Sequence, residues 1–248
     1  MTALGAGFTA TIDENGALGL NISDGTNTFS PSSSGSVPLV GWHHVAMAVD
    51  RNGDVDFYID GSLAGTTDIS DAADIDLTNL APLLIGKSRA DDGYFHGAID
   101  EIRIWNEERS DTEIAGNYNQ KLASPTTETN LVGYWDFDNV NDFEEFADDE
   151  SAGGNRIYPG DPLLTGNETT ADADLIRYLS RATKFDGVDD HISVPNSAAL
   201  DPANWTIETW IRVDPADNTT GTQRVMALQN GAGEQAYGLT FQDGVLRT

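Results

Sequence analysis

The sequence lacks cysteine altogether, which excludes disulfides, thiol nucleophiles and thiolate metal ligands. It also lacks long hydrophobic runs, because no apolar stretch approaches the roughly 18 residues of a membrane-spanning helix. Met1 is not followed by a basic segment and then an apolar one, so no secretory signal is visible. Hydrophobic residues still make up 39% of the chain, which is enough for a core. Because no long apolar run is present, we expect no insertion into a membrane.

Positive charge is scarce. Thirteen basic residues stand against 41 acidic ones, giving a formal net charge of −28. Such a field repels nucleic acids and anionic membranes and attracts cations, so we expect no nucleic-acid partner. Two interpretations stay open and are compatible with each other: an acidic surface suited to salty surroundings, and a few carboxylates that form calcium sites.

Long helical periodicity is nearly absent, whereas alternation with a period of two recurs throughout. The segment 43–61 reads as a β-hairpin with Asn52-Gly53 at its turn, and Asn15-Gly16 marks a second hairpin. This pattern predicts an all-β, two-sheet antiparallel sandwich. One or two short helices are expected, the first opened by a capping box from Ser110 to Glu113 and the second over residues 172–182.

Two adjacent histidines, His43 and His44, look chemical beside an aspartate-rich run. On a strand they point to opposite faces, so they cannot bind the same ion. The chain offers no histidine pair at the i, i+4 spacing of a helical zinc site. Packing is therefore the favoured role for all four histidines.

Several segments resemble laminin-G-like domains of the concanavalin-A-like lectin/glucanase superfamily, to which the pentraxins are related. Residues 184–213, with "KFDGVDDHISVPNSAAL" and "WTIETWIRV", resemble the opening strands. "WHHVAMAVDRNGDVDFYIDGSLAG" resembles the central hairpin, and "LLIGKSRADDGYFHGAIDEIRIWNEERSDTEI" resembles the closing strands and final helix. The resemblance implies a jelly-roll sandwich.

The order of these parts departs from the family, as in a circular permutant. Residues 1–122 resemble the closing half of a sandwich, 123–130 read as a linker, and 131–248 resemble the opening half. Residues 7–19 also resemble residues 237–247, as expected of a tandem repeat. The halves can close on each other within one chain, which we favour, or complete the halves of neighbouring copies and build a filament.

The resemblance also implies structural calcium. In the superfamily an aspartate of the last strand often pairs with one near the first strand around the ion, and the matching residues here are Asp100 and Asp138. Asp186 and Asp149 are weaker candidates. The alternative is that these acids cap turns by accepting backbone N–H bonds.

A ligand-facing site is expected on the loop "GKSRADDGYFHG", at the position where pentraxins present calcium ligands. Asp91 and Asp92 match that region, and Tyr94 and Phe95 are candidates for stacking on a sugar ring. The glutamine-rich run of the pentraxins is replaced by Lys87-Ser88-Arg89, and an exposed loop with aromatics returning to the core is the alternative.

The sequence shows little sign of a catalytic site. The chain has no nucleophile elbow, Walker loop or dinucleotide fingerprint, and Glu208 stands without the acidic array of the glucanases. We therefore expect a non-catalytic, calcium-stabilised carbohydrate-binding or adhesion module of an extracellular or cell-surface protein, with a carbohydrate or cell-surface ligand as partner. The alternatives are a structural repeat or fibre subunit joined by strand exchange between copies, and a polysaccharide-cleaving enzyme.

Overall fold

The computed structural model describes residues 6–12, 17–24, 26–38, 40–77, 81–87, 95–138, 149–155, 158–159, 169–170, 182–188, 190–200, 203–213, 222–228 and 237–242. Its strands, in chain order, are β1 (Ala6–Ile12), β2 (Ala17–Asp24), β3 (Thr28–Phe29), β4 (Ser32–Ser36), β5 (His43–Val49), β6 (Asp54–Ile59), β7 (Ser62–Asp68), β8 (Leu83–Ile85), β9 (His96–Trp105), β10 (Leu131–Trp135), β11 (Tyr158–Pro159), β12 (Thr169–Thr170), β13 (Ala182–Asp186), β14 (Ile192–Val194), β15 (Trp205–Val213), β16 (Thr222–Leu228) and β17 (Tyr237–Gln242). An α-helix, α1, spans Asp111–Asn117, and 3-10 turns lie at Ser70–Ala72, Pro125–Thr127 and Ala198–Leu200.

The described strands form three antiparallel sheets in place of the predicted two, and their buried residues share one core, which confirms the predicted β-sandwich. The first layer is an eight-stranded sheet with the order β12-β13-β9-β15-β5-β6-β7, in which β10 also pairs with β9. The second layer consists of two sheets, β11-β14-β8-β16-β17 and β1-β2-β3, with β4 paired to β2. β1 lies against β17, although no ladder of hydrogen bonds joins these two strands within the described residues.

Strands from the two ends of the sequence alternate in the first layer, which we call the main sheet. β9 pairs on one side with β15, where Ile207 opposes Ile104, and on the other with β13 and β10. β15 in turn pairs with β5, placing Trp205 opposite Val49. Strands from residues 1–122 and strands from residues 131–248 thus pair with each other in the main sheet.

The core lies between the layers and is built from the inward positions of both. Trp135, Trp205, Phe57 and Phe185 are among its largest fully buried side chains. The alternation predicted from the sequence produces this burial, because every second residue of a strand points to the same face.

The outer face of the main sheet is covered by residues 106–122, which we call the strap. The Tyr58 hydroxyl donates to Asp111 Oδ1 at 2.6 Å, and Trp210 Nε1 donates to the Tyr118 carbonyl at 2.9 Å. Arg103 Nη1 donates to the Asn117 carbonyl at 3.1 Å. These bonds hold α1 and the residues after it against the strands.

Helix α1 begins with the predicted capping box. The Ser110 side chain accepts from the Glu113 N–H, and Glu113 Oε2 accepts from the Ser110 N–H at 2.9 Å. The helix predicted over residues 172–182 lies almost wholly outside the described residues. No helix in the described part of the chain is long and apolar enough to cross a membrane.

Candidate functional site

A bulge in β9 carries Asp100, which with Asp136 and Asp138 forms what we call the acidic cluster. Lys121 lies beside this cluster as its counter-ion. Glu101 has a φ of 53°, and the β9–β15 register shifts at this point. Both Ile99 and Ile102 join the core, so two residues rather than one lie between core-facing positions. Strict alternation predicts that Asp100 and Glu101 face opposite sides, and the bulge overturns that expectation by carrying both out of the core.

Asp100 is only 1% exposed and incompletely hydrogen-bonded. Its Oδ1 accepts from the Glu101 N–H at 2.8 Å, whereas Oδ2 has no hydrogen-bond partner among the described residues. Burial, and then the nearby carboxylates of Glu101, Asp138 and Asp136, raise the pKa of Asp100 to about 9. A buried carboxylate oxygen without a hydrogen-bond partner is stabilised by a proton or by a nearby cation.

Lys121, near the end of the strap, lies beside the two other aspartates. Its Nζ donates to Asp136 Oδ2 at 2.8 Å and also to Asp138 Oδ2. Partial burial lowers the pKa of Lys121, but the hydrogen bonds to Asp136 and Asp138 outweigh it and hold the pKa above the usual range. The Lys121 ammonium group is therefore the cation that pairs with Asp136 and Asp138.

The chemistry of the cluster suits calcium, since carboxylate oxygens are the ligands that this ion prefers. The unpartnered Oδ2 of Asp100 supports the fit, and the charges of Asp138 and Asp136 act on Asp100. In the described conformation, however, no three histidine, aspartate or glutamate residues of the described chain are placed to hold a metal ion together. Lys121 Nζ also occupies the Oδ2 atoms of Asp136 and Asp138 in this conformation.

Asp149 has a different role from the acidic cluster, because both of its carboxylate oxygens accept hydrogen bonds from backbone N–H groups. Oδ1 accepts from the N–H groups of Tyr134 and Ser151, both at 2.9 Å, and Oδ2 accepts from the Asn155 N–H at 2.7 Å. These bonds attach residues 149–155 to β10. The geometry is that of a turn-capping aspartate, the alternative considered above.

Asp186 lies at a different end of the main sheet, opposite His96 in the β13–β9 pair. Its Oδ1 accepts from the Val188 N–H at 2.8 Å, and its own N–H donates to Asp190 Oδ2 at 2.9 Å. Val188 in this turn is 67% exposed. The structure thus does not place Asp186 with Asp100 and Asp138.

Two connections between the layers meet at that end, which we call the loop end. One runs from β8 to β9 through residues 86–95, and the other from β13 to β14 through 187–191. Their flanking residues pair directly, Ile85 with Ile192 and His96 with Asp186. The Phe95 N–H also donates to the Gly86 carbonyl at 2.7 Å. The two connections therefore start and finish side by side.

The predicted ligand-binding residues fall on the first of these connections. Asp91, Asp92 and Tyr94 lie outside the described residues. Phe95 is completely buried, and its ring meets that of Phe185 edge-on at 6.0 Å between centroids. In this conformation Phe95 is a core residue at the base of the loop, with no ring face available for a sugar.

The main sheet also carries a buried polar network that sequence reasoning missed. Glu208 Oε1 accepts from Trp105 Nε1 at 2.7 Å, and His44 Nε2 lies 3.3 Å from Oε2 without the alignment of a hydrogen bond. Glu208 also opposes Arg103 in the β15–β9 register. Sequence spacing left Glu208 alone because Trp105 lies 103 residues away in the chain, and His44 comes from a still more distant strand.

Glu101 forms the other half of this network. Its Oε2 accepts from the Tyr134 hydroxyl at 2.7 Å and from Arg103 Nη2 at 3.0 Å. Burial raises the pKa of Glu101, with Arg103 and Tyr134 opposing that effect. Glu101 and Glu208 are 3% and 2% exposed, so the strap separates them from any large substrate.

A protein-family model described as the concanavalin A-like lectin/glucanases superfamily, of the laminin G type, matches residues 2–115. Comparison with curated proteins and with solved structures returned no match. The matched range covers β1 to β9 and most of α1.

Proposed function

Because residues 2–115 match the model of the concanavalin A-like lectin/glucanases superfamily, we propose that the chain is a carbohydrate-binding or adhesion module and not an enzyme. The superfamily includes both binding modules and hydrolases, so the assignment rests on the state of the main sheet. The observation that carries it is the strap over Glu101 and Glu208. A hydrolase needs two carboxylates that a polysaccharide can reach, whereas these two are buried and committed to Arg103, Tyr134 and Trp105.

The proposed binding surface is the loop end. Asp91, Asp92 and Tyr94 belong to a connection whose two ends are held together by the Gly86–Phe95 hydrogen bond. The neighbouring turn contributes Asp186, with an exposed side chain, and Val188. Acidic side chains and an aromatic ring are groups that hydrogen-bond to a sugar and stack on it. Function in a secreted or cell-surface protein is part of the same proposal.

Calcium is proposed for the acidic cluster. Asp100, Asp136 and Asp138 would hold it, with the buried Oδ2 of Asp100 as the oxygen that otherwise lacks a partner. The ion would neutralise the cluster and brace β9 against the residues that follow β10. The chain's own contribution is the bulge at Glu101, which brings Asp100 to this position.

A glycan array tests the binding function. The wild-type chain should bind a limited set of glycans, and the double variant Asp91→Asn/Asp92→Asn or the single variant Tyr94→Ala should weaken that binding by about tenfold or more. Asp71→Asn/Asp74→Asn is the matched control, since it removes two exposed acids elsewhere. Hydrolysis of any bound polysaccharide, or no binding to any glycan or cell-surface protein, would contradict the proposal.

A second candidate function is a fibre subunit, favoured by the repeated strand. The similar segments 7–19 and 237–247 contribute β1 and β17, which lie side by side. Each of these strands is hydrogen-bonded along its other edge, β1 to β2 and β17 to β16. We propose that their facing edges are open to a strand from a second copy. Light scattering over a concentration series separates the candidates: growth into long particles favours the fibre, and a constant monomer favours the self-contained module.

A further inference from the structure

We propose that Lys121 is a tethered counter-ion that competes with calcium for the acidic cluster, so that the site binds calcium tightly only when this side chain is withdrawn. The inference rests on the calcium site proposed above and concerns its regulation. It follows from the position of Nζ, which donates to Asp136 Oδ2 at 2.8 Å and to Asp138 Oδ2. A divalent ion bound by the same oxygens cannot coexist with the ammonium group in that place.

The charge inventory of the region identifies Lys121 as the group that has to move. Among the described residues, four carboxylates (Asp100, Glu101, Asp136 and Asp138) lie near two cations, Arg103 and Lys121. Arg103 is 1% exposed and holds Glu101 together with the carbonyls of Asn117 and Gln120. Its departure would leave buried polar groups without partners, which costs far more than moving a partly exposed lysine.

Lys121 meets the opposite requirement. Its side chain is 37% exposed and ends in a flexible four-carbon stem, so the ammonium group can move into water while the backbone stays in place. The strap just before it is anchored separately, by Arg103 to the Asn117 and Gln120 carbonyls and by Trp210 to the Tyr118 carbonyl. Withdrawal of Lys121 therefore exposes the aspartates without releasing the strap.

The buried carboxylate of Asp100 shows what a calcium ion adds that lysine does not. Lys121 reaches Asp136 and Asp138, yet Oδ2 of Asp100 stays without a hydrogen-bond partner among the described residues. A calcium ion that drew the three carboxylates together would be bound by all of them, whereas an ammonium group is a point charge with three donors. Lysine is thus an incomplete substitute for calcium, because it leaves Oδ2 of Asp100 without a partner among the described residues.

The test is calorimetric titration of calcium chloride into chelator-treated wild-type protein, Lys121→Gln and Lys121→Arg, with thermal unfolding of each in calcium and in chelator. Lys121→Gln removes the charge and should bind calcium at least about tenfold more tightly than the wild type. Its unfolding temperature should rise with calcium by more than that of the wild type. Lys121→Arg keeps the charge and should resemble the wild type in both measurements.

The variants Asp100→Asn and Asp138→Asn in the Lys121→Gln background locate the ion, because each should abolish the gained affinity. Equal calcium affinity in the wild type and Lys121→Gln would overturn the competition and leave the calcium site standing. Binding by neither protein would overturn the calcium site and the competition together. Tight binding that survives Asp100→Asn and Asp138→Asn would place the ion elsewhere, and the inference would again be wrong.

Discussion

Trp105 Nε1 donates a hydrogen bond to Glu208 Oε1 at 2.7 Å, joining the two central strands of the main sheet beneath the strap. Both residues are almost completely buried, and His44 Nε2 lies 3.3 Å from the other carboxylate oxygen. The indole, the imidazole and the nearby Arg103 guanidinium together compensate a carboxylate that is otherwise far from water. This contact joins β9 and β15, strands that come from opposite halves of the sequence.

Glu208 should make folding sensitive to acid. Burial by itself raises the pKa of Glu208, but the contact with His44, the charge of Arg103 and the Trp105 bond outweigh burial and lower the pKa to about 2, from an ordinary 4.5. A lowered folded-state pKa stabilises the protein above the ordinary value, and that stability is lost as the pH falls from 4.5 towards 2. Glu208→Gln removes this dependence and should lower the free energy of unfolding at pH 7 by about 1–3 kcal/mol.

Urea unfolding at pH 7 and pH 3 checks this expectation. The wild type should lose more stability between the two pH values than Glu208→Gln does, since other groups titrate in both proteins. Parallel losses would show that Glu208 has the same pKa in the folded and unfolded states.

Position 97 should not tolerate a residue larger than glycine. A Cβ at this position would lie 2.1 Å from the Arg212 carbonyl oxygen, which belongs to the paired strand β15. Gly97→Ala must therefore push β9 and β15 apart, and we expect a loss of more than about 2 kcal/mol in the free energy of unfolding. Circular dichroism during thermal unfolding measures it.

Gly116 supplies the matched control, because a Cβ there meets nothing within 4 Å and the residue lies inside α1. Gly116→Ala should be neutral or should stabilise the protein by up to about 1 kcal/mol, since alanine has the higher helix propensity. Equal destabilisation by both substitutions would contradict the steric argument.

Ser110 should stabilise the strap through its capping box. Ser110→Ala removes the acceptor for the Glu113 N–H, and the expected loss is about 1 kcal/mol. Hydrogen exchange should become faster within α1, while the amides of β9 and β15 keep their protection. Ser110→Asp, which retains a side-chain acceptor, should restore most of the protection. Unchanged exchange in α1 would show that tertiary contacts alone hold the helix.

Asp149 should act as a turn cap, independent of calcium. Asp149→Ala leaves the N–H groups of Tyr134, Ser151 and Asn155 without their acceptor, and we expect a loss of about 1–3 kcal/mol. The loss should be the same in calcium and in chelator, as measured by thermal unfolding. A loss confined to calcium-containing buffer would make Asp149 a calcium ligand instead.

Local sequence was sufficient where the structure depends on neighbouring residues. The Asn52-Gly53 turn predicts the β5–β6 hairpin, and the structure pairs Val49 with Val55 across it. The Ser110–Glu113 spacing likewise predicts the start of α1. Turn chemistry, capping and alternation act within a few residues, so they can be read from one short stretch.

The candidate site was predicted only in part. The resemblance brought Asp100 and Asp138 forward as calcium ligands, a role that stays a prediction, and the sequence offered no sign that Lys121 donates a hydrogen bond to Asp138. Nor did spacing reveal the bulge at Glu101 or the burial of Glu208. Each of these features depends on which strands become neighbours.

The residues and their order were therefore enough to predict the all-β class, the turns, the capped helix and the acidic character of this protein. The position of β9 between β15 and the strands β13 and β10, and the burial of Glu101 and Glu208 beneath the strap, emerge only in the folded chain. A period of two specifies which face a side chain takes, but it does not specify the partner strand. Partners are chosen by packing across the whole chain, and the chemistry of Asp100, Lys121 and Glu208 is set by those partners.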